Sequence, residues 1–259
     1  MEQLRKHGKE PYRIAVIHGG PGASGEMEPV AKELANDFGV LEPKQTAMSI
    51  NESVEELKQI LEKNGEIPFT LVGYSWGSWL GFIFAANYPD FVKKLILVSS
   101  GPFETRYAKN IGETRLYRLD VDERDEVSDL MKVLNNGSVE NRNKEFARLG
   151  ELFSKADAYD PIDHVDEKIE LQVDVFQSLW NEASRLRRSG KLLKMGEKIK
   201  CPVVAIHGDY DPHPADGVKT PLQNLLKDFR FILLDCCGHK PWIEKQAKDQ
   251  FYDILKKEL

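Results

Sequence analysis

Residues Gly73-Tyr74-Ser75-Trp76-Gly77 constrain this chain more than any other stretch. A serine with a glycine two positions before it and another two positions after it is what a sharp strand-to-helix turn requires, because side chains at the flanking positions would clash in so tight a bend. The context agrees: residues 70–72 read as the end of a short apolar strand, and residues 78–87 as an apolar helix that stops before Tyr88-Pro89. Such a turn holds its serine in a strained backbone conformation and presents the hydroxyl as a nucleophile.

A nucleophilic serine needs a base to take its proton and a carboxylate to orient that base. Residues 201–207 form an apolar, strand-like run that opens into Gly208-Asp209-Tyr210-Asp211-Pro212. A second run, 231–234, leads into Asp235-Cys236-Cys237-Gly238-His239. In a parallel sheet both loops fall on one edge, so Asp211 is expected to be the acid and His239 the base, with Asp209 competing for the acid role. Upstream, His18-Gly19-Gly20-Pro21-Gly22 follows strand-like residues 13–17, and its glycines let backbone N–H groups approach a developing negative charge.

Together these residues resemble the α/β-hydrolase superfamily, and the HGGPG loop is most similar to that of the proline iminopeptidase group of serine peptidases. The resemblance covers most of the chain. It implies that the amides of Gly20 and Trp76 form an oxyanion hole, that His18 supports the loop instead of acting as a second base, and that Asp211, three residues beyond Gly208, is the acid. It also implies two-step acyl transfer without a cofactor or metal: His239 takes the proton of Ser75, the serine attacks a carbonyl, and water releases the acyl group. The expected substrate is a short peptide or aminoacyl amide with a free N-terminus. A carboxylester hydrolase is the close alternative, and a ligand receptor on the same fold is a third reading. An aminopeptidase must pair with the substrate ammonium, for which Glu182, beside Trp180, is the candidate.

Other signals have plainer readings. His207, Asp209, Asp211 and His213 alternate like metal ligands on a strand, but Pro212 and Pro214 break any regular strand there and Asp211 is needed by His239, so no metal is expected. Cys236 and Cys237 precede His239, yet neither follows a strand-to-helix turn, so a Cys/His nucleophile is not adopted. The odd cysteine count, three, gives no disulfide framework. Trp76, Trp79 and Trp242 could line an acyl pocket, though aromatic residues in such elements usually belong to a core.

A 259-residue chain with 41% hydrophobic residues suffices for one α/β unit with an insertion. Alternating strands and helices predict a mostly parallel sheet of about six strands flanked by helices, since the dozen residues before Arg13 leave little room for more. The expected core is 1–101 with 197–259, and 102–196 is expected to form a helical cap, with amphipathic segments at 127–134, 143–155 and 168–188. Net charge is −6 with both signs interspersed, which argues against nucleic-acid partners. A polar N-terminal stretch and the lack of a membrane-length apolar run lead to an expectation of a cytoplasmic protein.

Overall fold

A computed structural model describes residues 3–135, 142–162 and 169–259. The chain begins with β1 (Leu4–His7), β2 (Tyr12–Ile17), the short β3 (Ala23–Ser24), α1 (Glu28–Leu34), β4 (Gly39–Pro43) and α2 (Ile50–Asn64). The turn flagged in the sequence joins β5 (Phe69–Tyr74) to α3 (Trp76–Asn87), and β6 (Val92–Val98) follows. The last third alternates again through β8 (Val203–Gly208), α9 (Asp216–Leu225), β9 (Phe229–Leu234) and α10 (Lys248–Glu258).

These strands pair in the order β1-β4-β2-β5-β6-β8-β9, antiparallel at β1-β4 and parallel elsewhere. Every residue of β5 is buried, because helices cover both faces of the sheet and a strand in that position needs no polar alternation. Side chains divide with period two: Ala15, Ile17, Phe69 and Leu71 pack against α2 and α3. Ile14, Val16, Val72 and Tyr74 pack with α1 and α10.

The sheet has seven strands, not the six expected. The extra strand, β1, has the sequence LRKH, which lacks an apolar period because it lies on the edge of the sheet. It is held by register with β4, Leu4↔Pro43 to His7↔Val40, and by charge: His7 Nε2 lies 2.8 Å and Arg5 Nη1 3.6 Å from the buried carboxylate of Glu42.

Between β6 and β8 the alternation gives way to α4 (Ile111–Tyr117), α5 (Val121–Asn135), α6 (Arg142–Asp157), β7 (Glu170–Leu171), α7 (Val173–Arg188) and α8 (Lys191–Lys194). Helix α4 had no clear signal in the sequence, and the segment expected as a helix from 168 begins at Val173, with residues 163–168 outside the described residues. Leu119, Val127, Leu130, Leu149 and Leu152 give this insertion a small core of its own. Helix α7 instead sends Val175, Leu179 and Ala183 into the main core. A two-residue antiparallel ladder, Ala23↔Leu171 and Ser24↔Glu170, joins the insertion to the loop after β2. Among the described residues no helix is long and apolar enough to cross a membrane.

Candidate active site

Ser75 occupies the single residue between β5 and α3, with φ 51° and ψ −111°, a backbone conformation that L-residues rarely adopt. The two flanking glycines are steric necessities. A Cβ on Gly73 would sit 2.3 Å from the carbonyl oxygen of Gly77, and one on Gly77 would sit 2.3 Å from that of Ile17. Helix α3 is buried from Trp76 to Ala86, so it is apolar all round, and its N-terminal end delivers the partial positive charge of the helix to Ser75.

Because β5, β8 and β9 are parallel, the loops at their C-terminal ends converge on one edge. Ser75 Oγ donates to His239 Nε2 at 3.1 Å, and His239 Nδ1 donates to Asp211 Oδ2 at 2.7 Å. Asp209, the rival acid, is turned away, its Oδ1 accepting from the backbone of Cys237 at 3.1 Å. Asp211 is surrounded by donors: its Oδ1 accepts from the His213 amide at 2.9 Å and from His213 Nδ1 at 2.8 Å. His207 Nε2 lies 3.5 Å from Oδ2 while donating to the His213 carbonyl at 2.7 Å.

This arrangement sets the charges. Burial opposes the Asp211 carboxylate, but the three imidazoles outweigh it and hold its pKa well below the usual range. Burial likewise pushes the His239 imidazole down, and the Asp211 charge with its hydrogen bond overcomes this to hold the pKa above the ordinary 6.5. For His213 burial dominates and brings the pKa down to about 4, so that ring is neutral at physiological pH. Asp211, His213 and His239 offer ligand atoms within 4.8 Å of one another, a spacing that a metal ion could use, and the hydrogen bonds just described account for it without one.

The loop after β2 lies against the turn, since the Gly77 backbone sits beneath Ile17 and His18. Gly20 has φ 24° and Gly22 φ 74°, conformations that favour glycine and allow the chain to fold back closely. His18 is fully buried, donates through Nδ1 to the Gly19 carbonyl at 2.7 Å, and has its pKa lowered by burial, which suits support of the loop. The amide of Trp76, the residue after Ser75, is the first of α3 and finds no acceptor within its own helix.

Glu182 and Trp180 both lie on α7 of the insertion. The Glu182 carboxylate accepts from the Ile50 amide at 2.8 Å, which helps cap the start of α2 beside its N-cap residue Ser49. Trp180 stacks parallel to Trp79 with centroids 6.0 Å apart and is itself stacked on Phe176. Trp79 and Trp242 are core residues, the latter packed edge-on to Tyr74 at 4.7 Å. Sequence reasoning missed His213 as a partner of Asp211, although it stands two residues further on. It also missed Arg115 of α4, whose guanidinium binds the Asp157 carboxylate through two contacts of 2.7 and 2.6 Å near His239.

A family model described as alpha/beta hydrolase fold matches residues 12–246. The chain is 26% identical to a proline iminopeptidase of Lactobacillus delbrueckii subsp. lactis, in an alignment covering 92% of this chain and 87% of that protein. The crystal structure of VinJ is similar, with a TM-score of 0.70 at 18% identity over 99% of this chain and 95% of that one. A monoacylglycerol lipase from Paleococcus ferrophilus gives 0.62 at 18% identity over 98% and 96%.

Proposed function

The chain belongs to the α/β-hydrolase fold family, and from that premise we propose that it is a serine hydrolase working through an acyl-enzyme. The observation that carries the proposal is the unbroken relay from Ser75 Oγ through His239 to Asp211. In the first step His239 Nε2 accepts the hydroxyl proton as Ser75 Oγ bonds to the substrate carbonyl carbon. The resulting oxyanion is held by the amides of Gly20 and Trp76, and the N-terminal charge of α3 adds to their effect. His239 then returns the proton to the leaving group, and the same sequence with water frees the acid. Asp211 orients the ring and offsets the imidazolium charge, and the insertion between β6 and β8 serves as a cap that keeps water from the acyl-enzyme.

The substrate we assign first is a short peptide or aminoacyl amide with a free N-terminus, which the likeness to proline iminopeptidases supports. An ester substrate is favoured by one observation: the Asp157 carboxylate near His239 is already paired with the Arg115 guanidinium, and Glu182 already holds the Ile50 amide. Hydrolysis of a panel of proline and other aminoacyl arylamides beside short acyl esters separates the two. Arylamide turnover supports the aminopeptidase, and cleavage confined to esters overturns it. The three cysteines are free thiols, in keeping with a cytosolic enzyme.

A further inference from the structure

The loop that carries His239 is clasped by the end of the inserted helical segment. Glu244 lies five residues beyond His239 and is completely buried. Its Oε1 accepts from the Gly238 amide and from the Tyr159 amide, each at 2.9 Å, and its Oε2 accepts from the Asp160 amide at 2.8 Å. One carboxylate thus binds the residue before His239 together with two residues just past α6. In return the His239 amide donates to the Asp157 carbonyl at 2.9 Å. Pro161 pairs with Glu244, and the Ile162 amide donates to the Ile243 carbonyl at 2.7 Å.

The fit admits no side chain. A Cβ on Gly238 would lie 2.2 Å from the Asp157 carbonyl oxygen and 2.5 Å from Glu244 Oε1. On the opposite side, a Cβ on Gly208 would lie 2.1 Å from the Cys237 carbonyl oxygen, so the His239 loop is pressed between the strand leading to Asp211 and the insertion.

We infer that Glu244 is a positioning residue for His239, fixing the height of the imidazole over Ser75 and joining the base to the insertion. The inference rests on the assignment of Ser75, His239 and Asp211 as the reacting relay. Three backbone donors on a buried carboxylate form a rigid three-way joint, because charge-assisted hydrogen bonds are short and their loss leaves buried amides unpaired. Without it, the hydrogen bond from the His239 amide to the Asp157 carbonyl still ties the Gly238-His239 segment to the end of α6. Glu244 touches neither Ser75 nor the substrate carbonyl, so its removal should be felt in turnover and not in substrate binding.

The test compares Glu244→Ala and Glu244→Gln with the wild type and with Ser75→Ala. The readouts are the rate of labelling by a fluorophosphonate, kcat and KM on the best substrate, and the low-field proton resonance of the His239–Asp211 hydrogen bond. Misplacement of a reacting group by an ångström costs on the order of 100-fold in rate, so Glu244→Ala should lose about that factor in kcat and in labelling rate with KM unchanged. Glu244→Gln keeps the oxygen shared by Gly238 and Tyr159 and should recover much of the loss. The low-field resonance should broaden or shift in the alanine variant and return in the glutamine variant. Folding of both is followed by circular dichroism, and if the alanine variant does not fold, a smaller loss of kcat and labelling rate at unchanged KM in the glutamine variant supports the inference, and wild-type rates there overturn it. Wild-type labelling, turnover and resonance in a folded Glu244→Ala variant overturn the inference. Ser75→Ala labelled at the wild-type rate overturns the underlying relay instead.

Discussion

The imidazole of His213 lies against that of His239, with ring centroids 4.5 Å apart and planes 29° from parallel, while each ring donates to a different oxygen of Asp211. A second histidine beside the base would repel the imidazolium if both were charged. Burial brings the His213 pKa down to about 4, so it stays neutral while His239 accepts a proton. In the proposed mechanism His213 therefore orients Asp211 and walls off His239 without adding a second charge beside the imidazolium. Losing one hydrogen bond to a charged group is worth about 1.5 kcal/mol, so His213→Ala should lower kcat by roughly 10-fold with little change in KM. Steady-state kinetics on any substrate in the panel check this.

Because Asp211 holds the His239 pKa above 6.5 against the effect of burial, and the base works only when neutral, kcat/KM should fall as pH drops through a limb centred above pH 6.5. Asp211→Asn removes the charge and the tautomer control, and such a change in a serine hydrolase costs about 10,000-fold in kcat. A pH–rate profile of the wild type and single-turnover rates of the variant are the measurements. A limb below pH 6.5 would contradict the role of Asp211.

Stability should respond to pH through the same cluster. His213 has a folded pKa depressed from 6.5 to about 4, so the unfolded chain binds its proton first and this contribution, present above pH 6.5, is lost as pH falls toward 4. Asp211, depressed below 3.8, loses its contribution only at lower pH. His239 has a raised pKa, so its contribution is fully present below pH 6.5 and is lost as pH rises through its folded value. Between pH 6.5 and 4 His213 therefore contributes to the slope together with His18, whose pKa burial also lowers, and in that window Tm of His213→Gln should fall less steeply than Tm of the wild type. Parallel curves would show that His213 does not stay neutral when buried.

Much of the candidate site was legible because the proposed chemistry demands rare local patterns. Two glycines around Ser75 are required by contacts of 2.3 Å with backbone oxygens, so the constraint is written into adjacent residues. Asp211 and His239 were legible because each follows an apolar strand directly. What stayed hidden depends on partners far away in sequence. Strand β1 is polar because it sits on an edge and pairs its charges with Glu42. Glu182 looked available as a ligand for an ammonium group, yet its partner is the Ile50 amide, 132 residues earlier. Glu244 meets Tyr159 and Asp160 across 85 and 84 residues, and no local pattern announces such a joint.

That capping contact makes Glu182 a discriminating position. A hydrogen bond to a charged group is worth about 1.5 kcal/mol, so Glu182→Ala should lower stability by that amount in denaturant unfolding and leave kcat and KM unchanged. A large rise in KM for aminoacyl arylamides, without a matching rise for esters, would restore Glu182 as the ammonium ligand.

The central claim is that Ser75 is the nucleophile, and the most direct measurement is to treat the folded wild type and Ser75→Ala with a fluorophosphonate and locate the adduct by peptide mass analysis. The account predicts one adduct per wild-type chain, carried by Ser75, and none in the variant. An adduct on another residue, or undiminished turnover by Ser75→Ala, would contradict it.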